Sequence, residues 1–457
     1  MAYNDNTNYW ALYDRWVRAS EGRNEAPVIV HRWSALCVLA AFMERRVWIK
    51  QGMFRVYPNM YVQLLGEPAS KKSTAIKTAK RLLKLTGYDN FASEKTSMEA
   101  FLQSLHDMTF EDFDIGAFLR GESINEYSGD IDMLLDDAIS GAASKKGAVG
   151  MTRHKKLKQI AGTLNNVHCM IAADEFMDFV GRGNTEFISL LGTFWDWDDG
   201  VYDKQITSRG SAYINNPLIN ILSGNTPDNF SLTFPPEIQG QGFFSRILLI
   251  HVVSSGRRIA EMYEPLEEDR DVLLEWLLAI GEHCRGEVHI PRDSWDLIEH
   301  IYLNWKDIKD ARFARYSGRR QTHLLKLVLL MTIGRCDMTV TKDDIIMANT
   351  ILSYAENIMP LAMGEFGKGK NSSTANLVMK MINNSTGVSL KEILAGTINE
   401  TDNFGTVHDI LTKLHHAGKI QVGEDHLYYP KRALIVRSDT ELIKPSWLSE
   451  EEVHAIF

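Results

Sequence analysis

Apolar residues recur at two different periods along this chain, and the alternation between the periods sets out its plan. Across residues 8–48, Trp10, Tyr13, Trp16 and Val17 fall on one helical face and a second apolar run covers 33–42, which predicts an amino-terminal helical layer. Residues 60–65, Met-Tyr-Val-Gln-Leu-Leu, read as a buried strand, while 73–85 place Ala75, Ile76, Ala79, Leu82 and Leu83 at helical spacing. Thr96 and Glu99 make a capping-box pattern, in which hydroxyl and carboxylate satisfy each other's free backbone donors, and predict a helix through 105. Three further apolar runs of strand length follow at 167–173, 218–222 and 247–253. Strands alternating with helices predict an α/β sheet. Beyond Gly256 the period turns helical, at 273–280, 298–314, 323–332 and 342–359, the last behind the N-cap Thr341.

The breaks between these runs divide the chain. Residues 140–162 are rich in Gly, Ala, Ser and Lys without a sustained apolar period and predict a loop, the kind of segment that often carries function. Residues 364–373, Gly-Glu-Phe-Gly-Lys-Gly-Lys-Asn-Ser-Ser, have linker composition. After them come helical patterns at 375–382, 390–394 and 406–417, then two short strands about a Gly423-Glu-Asp turn, an order that looks like a winged helix. Its third helix carries Thr406, His408, Lys413 and His415, which serve either contact with DNA or packing and protein contact. The expected division is a helical region at 1–50, a nucleotide-binding core at 51–259, a helical lid at 260–364, a linker at 365–374, a winged helix at 375–436 and a tail at 437–457.

Composition narrows the class. With 457 residues, 44% hydrophobic and 24% charged, the chain suits a soluble protein of two to four domains, and no apolar run reaches the ~18 residues of a membrane span. The polar amino terminus lacks a signal-peptide pattern, so a cytoplasmic location is expected. Cys37, Cys169, Cys284 and Cys336 are scattered, with no CxxC pair, and read as buried thiols rather than zinc ligands or disulfides. A net charge of −9 argues against a surface coated in positive charge for indiscriminate nucleic-acid binding, but leaves room for local basic clusters. Two such clusters exist: Lys145, Lys146, Arg153, His154, Lys155, Lys156 and Lys158, and Arg312, Arg315, Arg319 and Arg320.

The candidate chemistry lies at the ends of the predicted strands. Residues 66–73, Gly-Glu-Pro-Ala-Ser-Lys-Lys-Ser, follow the first buried strand and open a helix, as a Walker A loop does when its backbone N–H groups wrap phosphates. Lys72 then meets the phosphates and Ser73 binds magnesium, with Gly66, Ser70, Lys71 and Thr74 completing the candidate nucleotide contacts. Lys71 stands where the second glycine of the motif belongs, a position where the backbone often needs φ > 0. Either the loop is reshaped or Lys71 adds charge to the phosphate cage. Asp174 and Glu175 follow the second strand, in the order that suits a metal ligand and a residue that polarises water. Asn225 ends the third strand, where its amide can orient that water. Arg246, in Phe-Phe-Ser-Arg before the fourth strand, offers a planar guanidinium suited to a transferring phosphoryl group. Residues 201–214 alternate like a hairpin turning at 207–210, whose Lys204 and Arg209 suit a nucleic-acid backbone and whose Tyr202 and Tyr213 suit base stacking. Trp195 and Trp197 read as core.

In this order, the motifs resemble those of AAA+ P-loop ATPases of the helicase branch. More closely they resemble the helicase-like ATPases encoded by phages and prophages, through Pro58-Asn59-Met60, the loop up to Thr74, and Ser245-Arg246. The likeness covers roughly residues 30–330. It implies an AAA+ α/β core with a helical subdomain and a carboxy-terminal winged helix, using ATP and Mg2+. It implies that Lys72 and Ser73 bind nucleotide and metal, that Asp174 and Glu175 serve metal and water, and that Asn225 is sensor 1. Arg246 corresponds to an Arg that reaches a neighbouring subunit's site, which implies a homo-oligomeric ring, a hexamer being favoured, or a filament. Arg320, or equally Arg319, corresponds to sensor 2. In ring helicases a hairpin in this place projects into the pore. The expected function is a DNA helicase or helicase-like replication ATPase acting on single-stranded or forked DNA with other replication proteins, in the host cytoplasm if phage-encoded. The alternatives are a helicase loader or initiator that does not translocate, and a degenerate nucleotide-binding scaffold.

Overall fold

The computed structural model describes residues 8–18, 25–111, 164–206, 210–234, 242–260, 267–363, 372–383 and, with short gaps, 385–430. The 140–162 loop, the Lys145–Lys158 cluster, Arg209, most of the 365–374 linker and the 437–457 tail lie outside them. The chain forms two compact units: the described residues up to Ala362 except 304–306, and 304–306 with those from Met363 on.

The first unit opens with helices α1 (Tyr9–Arg18) and α2 (Val28–Met43), then strands β1 (Val47–Gln51), β2 (Phe54–Val56) and β3 (Tyr61–Leu65). Helix α2 is apolar all round and is buried from Val30 to Met43 except for Arg32, as such a helix must be. After β3 come α3 (Lys72–Leu85), α4 (Met98–Thr109), β4 (His168–Ala173), α5 (Phe176–Val180) and α6 (Thr185–Trp195). The cap of α4 is Ser97, whose Oγ accepts from Ala100 N, and not Thr96, whose hydroxyl donates to Ser97 O; the cap lies one residue later than expected, and with Ala100 three residues beyond it the expected box does not form. Strands β5 (Val201–Ile206) and β6 (Gly210–Asn215) form the expected antiparallel hairpin. Then follow β7 (Leu218–Asn225), α7 (Pro227–Thr233) and β8 (Leu248–His251).

Four of these strands make a wholly parallel sheet in the order β4-β7-β3-β8, so the molecule is mixed α/β. Parallel strands need crossovers and covered faces, which is why β3 and β7 are continuous buried runs. Tyr61 OH donates to Leu191 O of α6, while Ile76 of α3 lies over Gly224 on the opposite face. Helices therefore cover both sides.

The unit continues with α8 (Glu267–His283), β9 (Gly286–Glu287), α9 (Arg292–Asn304), α10 (Arg320–Gly334) and α11 (Lys342–Ala362). The expected helix over 298–314 ends at Asn304, and a single 3-10 turn at Ala311–Phe313 follows. Thr341 caps α11 as expected: its Oγ1 accepts from Asp344 N and Asp344 Oδ2 accepts from Thr341 N. The segment expected as a lid belongs, where described and apart from 304–306 and Met363, to the same compact unit as the sheet. Helix α11 packs on β8, and the fully buried Lys326 of α10 donates to Tyr57 O and Asn59 Oδ1 at the foot of β3.

The second unit has α12 (Ser372–Asn383), α13 (Leu390–Thr397), α14 (Phe404–His416) and an antiparallel pair, β10 (Ile420–Val422) and β11 (Tyr428–Pro430). Val378, Ile382, Val388, Ile393, Val407 and Ile410 are among its buried core. A capping box between Ser389 and Glu392 opens α13.

Candidate nucleotide-binding site

Ligands of open parallel sheets sit beyond the carboxyl ends of the strands, and the register fixes what gathers there. Leu65 is level with Asn225 on one side and His251 on the other, and Ala173 is level with Ser223. Asp174 and Glu175 thus leave β4 beside the end of β7, while residues 66–71 leave β3. The approach is tight: a Cβ at Gly66 would meet Val252 O at 2.4 Å, and one at Gly224 would meet Asp174 O at 2.3 Å. Gly66 N donates to Asn225 O at 3.3 Å, which pins the loop to the middle strand.

Lys71 turns in the left-handed region, φ 63° and ψ 25°, as the glycine of the motif would, and Ala69 shares its positive φ of 63°. The loop is not reshaped by the missing glycine; a residue with a Cβ accepts the strained conformation, at a cost of about 1–2 kcal/mol. The Lys71 side chain pairs with Glu25 Oε2 at 2.5 Å. Helix α3 starts without a side-chain cap, so its first-turn N–H groups are open to an anion. Lys72, 6% exposed, folds over the loop and donates to Gly66 O (2.7 Å), Ser70 Oγ (3.0 Å) and Glu67 O (3.1 Å). Burial holds its pKa below the usual lysine range, with Glu175 and Glu67 opposing the shift. Ser73 and Thr74 are half-buried at the helix start.

Asp174 pairs with Lys77 of α3 at 3.1 Å, one turn beyond Ser73. Glu175 Oε2 accepts from Asn229 Nδ2 at 3.3 Å, an asparagine held in α7 behind its cap Thr226. Asn225 is fully buried; its Oδ1 accepts from Thr226 N, and its Nδ2 has no hydrogen-bond partner among the described residues. That orphaned donor at the strand ends, beside the uncapped start of α3, fits a polyphosphate with its metal. Among the described residues no three His, Cys, Asp or Glu cluster as a metal cage, but magnesium held through phosphates and water needs only one or two protein oxygens. Lys77, Asn229, Gly224, Glu25 and the half-buried His251 are residues that the sequence reading passed over. Of these only Gly224, in a Ser-Gly-Asn strand end, carries a local signal of close approach.

Of the remaining candidates, Arg246 is not brought to this end of the sheet. Arg246 lies before β8, at the sheet's other end, where Nε and Nη2 bind Asp196 Oδ2 at 2.9 and 2.6 Å and Nη1 donates to Gly242 O. Arg319 binds the other oxygen of Asp196 at 2.5 Å. Arg320 is 3% exposed and binds Glu356 at 2.8 Å, with Asn349 and Ser353 accepting from it; one turn on, His323 bonds Ser245 O. Its guanidinium is thus enclosed against α11, among Glu356, Asn349 and Ser353. The Arg312–Arg320 cluster is no free basic patch, since Arg312, Arg319 and Arg320 are all ion-paired. Lys204 is paired with Glu186 at 2.7 Å. Tyr213 is 4% exposed and Tyr202 packs edge-on against Phe194 and Trp197, so neither is a free stacking platform. Trp195, 2% exposed, is core, and Cys37, Cys169 and Cys284 are buried while Cys336 is partly exposed. Among the described residues no helix is long and apolar enough to cross a membrane. Compared with known proteins, the chain matches neither a family model nor a curated sequence.

Proposed function

We propose that this chain is a magnesium-dependent P-loop ATPase of AAA+ type that drives a helicase or helicase-like task on DNA, with the three helices and hairpin of the second unit as a winged helix. The observation that carries the nucleotide reading is the convergence of Lys72, Ser73, Asp174, Glu175 and Asn225 on the ends of three adjacent parallel strands, around a loop with glycine-like turns at residues without glycine. In this reading Lys72 and the first-turn N–H groups of α3 bind the phosphates, and Ser73 and Asp174 hold magnesium, which supplies charge neutralisation on the phosphoryl oxygens. Glu175 and Asn225 orient the attacking water. Lys72 leaves its bonds to the loop carbonyls for a stronger, charge-assisted partner.

The nucleic-acid part rests on the resemblance and on the β5–β6 hairpin. The pairing of its one described cation, Lys204, with Glu186 favours a second reading, an ATP-driven loader or switch that binds its partner without translocating. ATP turnover measured with and without single-stranded DNA, together with strand displacement on a forked duplex, on wild type and Lys72→Ala, separates these. A motor shows DNA-stimulated turnover that Lys72→Ala abolishes. A switch shows Lys72-dependent turnover without strand displacement. Equal behaviour of wild type and Lys72→Ala defeats the ATPase reading.

A further inference from the structure

We propose that Glu25 is a positioning residue for the phosphate loop: it competes with nucleotide phosphate for the Lys71 ammonium and thereby ties residues 255–259 to the state of the loop. This rests on the nucleotide-binding reading above. Lys71 stands at the very start of α3, one residue before Lys72, with its Nζ 2.5 Å from Glu25 Oε2. Glu25 itself is 12% exposed and fixed from elsewhere: Ile259 N donates to its Oε1 at 2.8 Å and Ser255 Oγ to its carbonyl at 2.6 Å. Those partners belong to the segment after β8, the strand beside β3, so the carboxylate is carried at the same end of the sheet as the loop. The Ile259 N–H first and Lys71 second hold its carboxyl below the usual range, so it is charged at neutral pH. An ammonium at this point faces two kinds of anion, the carboxylate and any phosphate seated on the first turn of α3. Phosphate draws Lys71 and repels Glu25, and the release of Glu25 loosens its bonds to Ser255 and Ile259.

The test is a double-mutant cycle on the full chain, with MgATP affinity measured calorimetrically for wild type, Glu25→Gln, Lys71→Gly and the double variant. Gln keeps an acceptor for Ile259 N, and Gly suits a φ of 63°, so neither change attacks the fold. Glu25→Gln is expected to tighten MgATP binding by about threefold to tenfold, the scale of one charge-assisted contact, and to have no effect when Lys71 is Gly. An effect of the same size in both backgrounds, or none in wild type, overturns the proposal. Amide exchange gives a second readout: the Ile259 N–H is expected to lose protection when wild type is saturated with MgATP, and unchanged protection overturns the tie. If wild type and Lys72→Ala alike bind no MgATP, the nucleotide reading falls and this one with it. Binding that Lys72→Ala abolishes but Glu25→Gln leaves unmoved sinks only the role of Glu25.

Discussion

Two residues of the phosphate loop, Ala69 and Lys71, carry a Cβ in the left-handed region, and their replacement by glycine tests whether the loop has the turn its motif demands. A left-handed residue with a Cβ costs about 1–2 kcal/mol, while glycine returns about 0.5–1 kcal/mol of that through the greater freedom of the unfolded chain. Ala69→Gly is therefore expected to gain about 0.5 kcal/mol. Lys71→Gly gains a similar amount but loses the Glu25 ion pair, whose lysine is 37% exposed, a pairing worth about 0.2–1 kcal/mol, so its net change is near zero. Lys71→Ala loses the pair and keeps the strain. The expected order is Ala69→Gly at or above wild type, Lys71→Gly close to wild type, and Lys71→Ala lowest by about 0.5 kcal/mol relative to Lys71→Gly. Urea unfolding of the four proteins, followed by tryptophan fluorescence, measures it. A Lys71→Ala protein as stable as Lys71→Gly would refute the left-handed turn, and with it the claim that Lys71 replaces the motif glycine without reshaping the loop.

Other sites give sharper contrasts. Gly224→Ala puts a methyl 2.3 Å from Asp174 O and is expected to displace the acidic pair, lowering ATP turnover more than MgATP affinity; an unchanged turnover number counts against Asp174 and Glu175. Arg320→Met leaves Glu356, whose carboxyl burial already raises, without its ion-pair partner, and should cost about 3 kcal/mol in urea unfolding, recovered in part by adding Glu356→Leu. Full stability with lost turnover would instead restore Arg320 to the reaction. Burial lowers Lys326 to about 7, so between there and the ~10.4 of an unfolded lysine the unfolded chain binds the proton and the folded chain does not. Stability should therefore rise with pH across that window by up to about 5 kcal/mol from this group, and Lys326→Met should lose the rise; parallel curves for the two proteins contradict it.

The strands were legible in the sequence because a parallel sheet covered on both faces requires unbroken apolar runs, and 60–65, 167–173 and 218–222 are such runs. With them came the positions of Lys72, at the helix start beyond the first strand, and of Asp174, Glu175 and Asn225, at the ends of the next two. What stayed hidden depends on tertiary approach. Nothing local to Glu25 announces a partner 46 positions away at Lys71, and Asn229 reaches Glu175 only because α7 turns back over the acidic strand end. The Arg312–Arg320 cluster shows the converse: composition counts charges, and the fold pairs Arg312, Arg319 and Arg320 within the chain. The helix expected through residue 314 fails because residues 305–310, Trp-Lys-Asp-Ile-Lys-Asp, bring charge where an apolar face would have to continue.

The sheet also decides what one chain can do with Arg246. Strand β8 runs parallel to β3, with His251 level with the last residue before the loop, and Arg246 lies five residues earlier. At about 3.3 Å per residue that is roughly 16 Å of strand, farther than an arginine side chain reaches. The guanidinium is in any case turned to Asp196 and Gly242 O at the sheet's opposite end. If Arg246 acts in hydrolysis at all, it acts on phosphate held by another chain, and Asp196, which also holds Arg319, is the group it must leave or share to do so. The phosphate loop and Arg246 are thus at opposite ends of one parallel sheet, and a site that uses both needs two copies of the sheet placed end against end.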